Sequence, residues 1–77
     1  MTIIVYSTST CPYCDMVKRF LKQNKILYED INVGENRAAA MEMVKKSGQM
    51  GVPVLDINGT IIVGFDVEAI KKALKLE

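Results

Sequence analysis

The sequence predicts an α/β domain: a four-stranded mixed sheet with three helices, in the order βαβ then ββα. Three observations carry that reading. A β-branched and aromatic run at residues 2–6 gives way to an amphipathic stretch that starts on Pro12. Asn58-Gly59 stands between two apolar runs, the strongest short hairpin signal. Gly48 and Asp66 sit where a helix stop and a helix cap are needed. A βαβ unit requires a right-handed parallel crossover and a hairpin is antiparallel, so the sheet is mixed.

The elements follow in order. Residues 2–6 form the first strand and run into a Ser/Thr cluster. Pro12 suits the first position of a helix, where its missing N–H leaves no bond unmade, and this makes Cys11 the N-cap. Met16, Val17, Phe20, Leu21 and Asn24 recur at helical spacing, with Lys18, Arg19, Lys22 and Lys25 around and behind them. Residues 26–31 read as a second strand. After Gly34 and Asn36, residues 37–46 are rich in Ala and Met and close on Ser47-Gly48, a helix with a glycine stop. Residues 52–57 and 60–63 flank the hairpin turn. Asp66 caps a last helix through Val67, Ile70 and Leu74, with Lys71, Lys72 and Lys75 toward its negative end. Met41, Met43 and Met50 are read as core filler.

Composition narrows the functions. Seventy-seven residues make a single domain, 1–77, without room for a linker. Its hydrophobic share of 49% and charged share of 25% are those of a globular chain and exclude a disordered tail. Ten basic against nine acidic residues give a net charge of +1, which argues against a nucleic-acid binder. No apolar run approaches the roughly 20 residues of a membrane span, and no secretory signal opens the chain, so the cytoplasm is expected. The absence of His excludes imidazole catalysis and His-ligated metals. Two cysteines suffice neither for a disulfide-stapled secreted scaffold nor for a four-ligand zinc site.

The two cysteines lie three apart as Cys11-Pro12-Tyr13-Cys14. A disulfide across so short a loop restrains little chain entropy, so the pair points to chemistry. A thiol at a helix N-cap faces unpaired backbone N–H groups and the positive end of the helix dipole, and both favour thiolate. An ordinary Cys, with pKa about 8.5, is only a few per cent ionised at pH 7, and such sites lower that value. Cys11 is therefore the attacking sulfur. Cys14, one turn on and on the same face, can attack a mixed disulfide formed on Cys11.

With Cys11-Pro12-Tyr13-Cys14 after the first strand, Gly51-Val52-Pro53 opening the third and Gly64-Phe65-Asp66 before the last helix, the chain resembles the glutaredoxins nearly end to end. The resemblance implies the thioredoxin-like fold and a monomer. It also implies reduction of protein disulfides and glutathione-mixed disulfides, with glutathione as co-substrate and no bound cofactor. Cys11 and Cys14 would be catalytic, and Thr8, Tyr13, Gln49, Val52, Pro53, Gly64, Phe65 and Asp66 would contact glutathione. Pro53 would be cis beside the cysteines, leaving the backbone of Val52 free to pair with an extended substrate. Read by its own chemistry alone, Pro53 is also simply tolerated at a strand start. Asp66 would meet the α-amino group of the γ-glutamyl residue while the N–H groups of that helix hold the neighbouring carboxylate. By itself it is an N-cap worth about 1 kcal/mol. Gln49 falls where Arg or Gln often meets the glycyl carboxylate, and Tyr13 would line the groove.

Three positions depart from the family pattern. Thr8 stands where many glutaredoxins carry Lys, so thiolate stabilisation rests on the helix terminus. Gly51 replaces a usual Thr. Phe65 replaces the common Cys or Ser, and Gly-Phe here is reminiscent of glutaredoxin-like redoxins that serve ribonucleotide reductase and draw electrons from thioredoxin reductase. That enzyme is thus a second candidate donor. A soft-metal carrier is a third reading, though such domains run βαββαβ and seldom place Pro between the cysteines. Iron–sulfur carriage resembles the monothiol members, and Cys14 and Pro12 count against it.

Overall fold

Seven elements make up the computed structural model: β1 (Ile3–Ser7), α1 (Pro12–Gln23), β2 (Glu29–Asn32), α2 (Arg37–Ser47), β3 (Val54–Ile57), β4 (Thr60–Val63) and α3 (Val67–Leu74). The structure describes residues 2–76; Met1 and Glu77, the ends of the expected domain, lie outside it. The sheet order is β2-β1-β3-β4, with β1 parallel to β2 and the other two pairs antiparallel, the mixed sheet that the element order predicts. No helix among the described residues is long and apolar enough to cross a membrane.

Strand alternation splits the core in two. Ile3, Val5, Leu55, Ile57 and Ile62 point to one face, where Val17 and Leu21 of α1 and Ile70 and Leu74 of α3 cover them. Tyr6 and Val54 point to the other, covered by Ala39 and Met43 of α2. Each fully buried Leu or Ile contributes on the order of 1.5–3 kcal/mol, so these few side chains dominate the stability of so small a chain.

The strand bounds shift for identifiable reasons. β2 begins at Glu29, three residues later than expected, because the end of α1 uses the intervening chain. Lys25 takes φ 58°, and the N–H groups of Lys25 and Ile26 donate to the carbonyls of Lys22 and Leu21. This is a Schellman closure, and Ile26 packs on the core beside Leu21 instead of joining the sheet. β3 begins at Val54 rather than 52, since Pro53 has no N–H to give a ladder. The Asn58-Gly59 turn is as expected, with both residues at positive φ.

A polar cluster pins α2 to the sheet. Lys46 Nζ donates to Asp56 Oδ2 at 2.7 Å and to the Tyr6 hydroxyl at 2.8 Å, and that hydroxyl donates to Glu42 Oε1 at 2.7 Å. Burial pushes the Asp56 carboxyl up, but Lys46 and the Gly59 N–H together hold it below the ordinary carboxylate value. Asp56 and the Tyr6 hydroxyl hold the Lys46 ammonium above its ordinary value.

Two expected faces need correction. Met16 is exposed and Asn24 caps α1, while Cys14, Val17 and Leu21 form its buried face. Of the three methionines read as core, only Met43 is buried, at 2% exposure; Met41 and Met50 are 65% and 82% exposed. The run at 38–44 is apolar around more of α2 than one sheet face can cover. Urea unfolding separates these roles. Met43→Ala should cost about 2–5 kcal/mol, whereas Met41→Ala should stay within about 0.5 kcal/mol of the parent.

Candidate active site

Strand register gathers the motifs. Tyr6 pairs with Val54 and Val54 with Val63, so the end of β1, the start of β3 and the end of β4 share one end of the sheet. The parallel strand β2 also ends there, where Ser7 pairs with Asn32. The cysteine segment, the Val52-Pro53 segment and the Gly64-Phe65-Asp66 segment therefore emerge side by side, although 41 residues separate Cys11 from Val52.

Cys11 is the N-cap of α1, with φ −117° and ψ 104°, and the Cys14 N–H donates to its Sγ at 3.1 Å. The two sulfurs are joined as a disulfide, with Cα atoms 5.2 Å apart. Their exposures differ decisively: Cys11 is partly open, whereas Cys14 is 0% exposed beneath the helix. An external thiolate can reach only the outer sulfur.

Val52-Pro53 is a cis peptide, as the resemblance implied, and the Val52 carbonyl oxygen lies 3.8 Å from Cys11 Sγ. The Pro53 carbonyl accepts from the Gly64 N–H at 2.8 Å, which ties the second segment to the third. Gly64 adopts φ 85°, a conformation that side chains disfavour. Asp66 caps α3, its Oδ1 accepting from the Ala69 N–H at 3.1 Å, and the carboxylate remains exposed.

The other expected contact residues are placed less uniformly. Tyr13 is 61% exposed on the first turn of α1. Phe65 is half-buried, its ring edge-on to Phe20 with centroids 6.2 Å apart, so much of its surface already serves packing. Thr8 is half-buried, and its methyl group faces the backbone at Gly34. Gln49 is committed to its own loop. Its Oε1 accepts from the Gly51 N–H at 2.6 Å and its Nε2 donates to the Gly51 carbonyl at 3.0 Å. Meeting a carboxylate would mean exchanging these bonds. A Cβ at position 51 would lie 2.7 Å from that Oε1, so a side chain there would displace the carboxamide.

One positioning contact escapes the sequence. Lys18 of α1 donates to Asp30 Oδ2 at 3.0 Å, and the buried Ser7 hydroxyl donates to Oδ1 at 2.6 Å, which locks the cysteine-bearing helix to β2. Burial pushes Asp30 up, but Ser7 and Lys18 together hold it below the ordinary value. The partners lie on different elements, so no local spacing announces them.

A disulfide with one open and one buried sulfur, presented at one end of this mixed sheet, defines a dithiol redox protein of thioredoxin-like fold. Solved structures agree. A point mutant of the thioredoxin-like protein BC3987 superposes with TM-score 0.92 at 33% identity, covering 99% of this chain and 97% of that one. The glutaredoxin-like protein NrdH-redoxin from Escherichia coli superposes with TM-score 0.83 at 26% identity, covering 94% and 93%. A glutaredoxin-like 8.6 kDa protein of the Clostridium pasteurianum rubredoxin operon is 44% identical over 73 residues, 95% of this chain and 97% of that protein. The glutaredoxin family model matches residues 3–62. The chain belongs to the glutaredoxin family.

The Gln49–Gly51 pairing is open to a double-mutant cycle. Gln49→Ala should cost about 1 kcal/mol through its lost hydrogen bonds, and Gly51→Thr a similar amount by expelling the same carboxamide. The double mutant should cost no more than either alone, read from urea midpoints.

Proposed function

We propose that the protein reduces protein disulfides and glutathione-mixed disulfides as a cytoplasmic monomer, with glutathione as electron donor. The observation that carries this reading is the asymmetry of the pair, an open Cys11 at a helix N-cap above a buried Cys14. In the dithiol form the Cys14 N–H and the helix N-terminus favour thiolate at Cys11. Each unit by which they lower its pKa corresponds to about 1.36 kcal/mol.

The Cys11 thiolate attacks one sulfur of the substrate disulfide, forming a mixed disulfide and releasing the other sulfur as thiolate. Cys14 loses its proton and attacks Cys11 Sγ, which closes the intramolecular disulfide and releases the second substrate thiolate. A glutathione thiolate then opens that disulfide at Cys11. A second glutathione displaces the first as glutathione disulfide and restores the dithiol. The backbone of Val52, beside Cys11, supports pairing with an extended substrate strand. The exposed carboxylate of Asp66 supports recognition of the glutathione amino group.

A second donor is favoured by one observation. Phe65 packs on Phe20 where glutathione users often carry a small polar residue, and an NrdH-redoxin, a glutaredoxin-like protein with a thioredoxin-like activity profile, is among the similar structures. Thioredoxin reductase is that alternative. Turnover assayed in parallel with glutathione plus its reductase, and with thioredoxin reductase alone, decides between them.

Two variants test the steps. Cys11→Ser should abolish all exchange, while Cys14→Ser should retain turnover of a small glutathione-mixed disulfide and lose that of protein disulfides; equal behaviour of the two would refute the assigned order. Asp66→Asn keeps a capping side chain but loses the charge. Glutathione-dependent kcat/KM should fall roughly tenfold with little change in stability. An unchanged value would favour the alternative donor.

A further inference from the structure

We propose that the outer face of α2 is a docking groove for an acidic, apolar segment of the protein whose disulfide is reduced, a reading that rests on the dithiol exchange proposed above. The groove, open to solvent with a volume of about 630 Å³, includes Arg37, Met41, Glu42, Val44, Lys45 and Met50 in its lining. Single exposed apolar side chains are ordinary, but here Met41, Val44 and Met50 are exposed together along one cavity. Methionine is flexible and polarisable, which suits a surface that accepts segments of varied shape.

Charge selects the occupant. The one acid in the lining, Glu42, is engaged by the Tyr6 hydroxyl at 2.7 Å and by Lys46 at 3.7 Å. The ion pairs among the described residues leave out Arg37 and Lys45, so the cavity presents uncompensated positive charge beside its methionines. A partner segment with Glu or Asp interleaved with Leu-like residues matches both features. A second copy does not: pairing this face with itself would oppose Arg37 and Lys45 to the same cations, with no free acid between them.

Position ties the groove to the chemistry. Met50 precedes Val52 by two residues, and the Val52 carbonyl oxygen lies 3.8 Å from Cys11 Sγ. From Arg37 to Lys45 the helix rises about 12 Å. An extended chain advances about 3.3 Å per residue, so about four residues of a partner match that length.

The test uses labelled, cysteine-free eight-residue peptides of alternating Leu and Glu, or Leu and Lys, whose binding is read by fluorescence anisotropy. The same sequences are also joined on either side of a glutathionylated cysteine for turnover. The native protein should bind the Glu peptide at least tenfold more tightly than the Lys peptide, with the gap narrowing as salt is raised. Arg37→Glu/Lys45→Glu should invert the preference. Met41→Ser should weaken both peptides several-fold, and turnover of a small mixed disulfide should stay unchanged in each variant. Equal binding of the two peptides, indifference to Met41→Ser, or a Met41-dependent dimer in sedimentation would each overturn the docking inference. Intact peptide binding without turnover of any disulfide would instead overturn the proposed function.

Discussion

The molecule depends on β1 being paired on both edges, parallel to β2 and antiparallel to β3. A strand held on both sides has no freedom to slip, because a one-residue shift would turn Ile3 and Val5 out of their core and Tyr6 into it. The end of β1 is therefore fixed relative to the start of β3. The loop carrying Cys11 inherits that position, and so does the carbonyl of Val52. A site assembled from segments far apart in sequence is thus held in place by strand pairing.

Within that frame the two sulfurs are differentiated by the helix alone. Three residues on from Cys11, Cys14 has turned inward among Val17 and Leu21, while Cys11 remains at the rim with an N–H directed at it. Lys18, pairing with Asp30, holds the helix at a set angle over β2. The same geometry thus leaves one sulfur open at the rim and the other enclosed in the core.

Local chemistry made most of this legible in the sequence. Pro12, Gly48, Asn58-Gly59 and Asp66 each have a preferred place in a turn or helix end, and the structure uses each there. What residue type leaves open is settled by particular contacts and by packing. Ile26 looks like a strand residue until Leu21 claims it for a helix closure. Met41 and Met43 are indistinguishable by type, and only the placement of α2 over Tyr6 and Val54 decides which is covered. Gln49 offers a carboxamide to any ligand on paper, yet Gly51 already holds it. The N-cap place of Cys11 followed from Pro12, whereas the cis bond before Pro53 was implied by the resemblance alone. The ion pairs were not legible, since they cross between elements.

The carboxylate of Asp56 serves two structures at once. One oxygen takes the Lys46 ammonium from α2, and the other accepts the Gly59 N–H of the hairpin turn. Loosening either one removes a partner from the other, so α2 and the β3–β4 hairpin behave as one cooperative block in local opening. The edge strand β2, whose only ladder partner is β1, lies outside that block. Slow amide exchange would then follow the block and not the chain order, and the segment bearing Val52 and Pro53, enclosed within it, would keep its shape while the opposite edge of the sheet breathes.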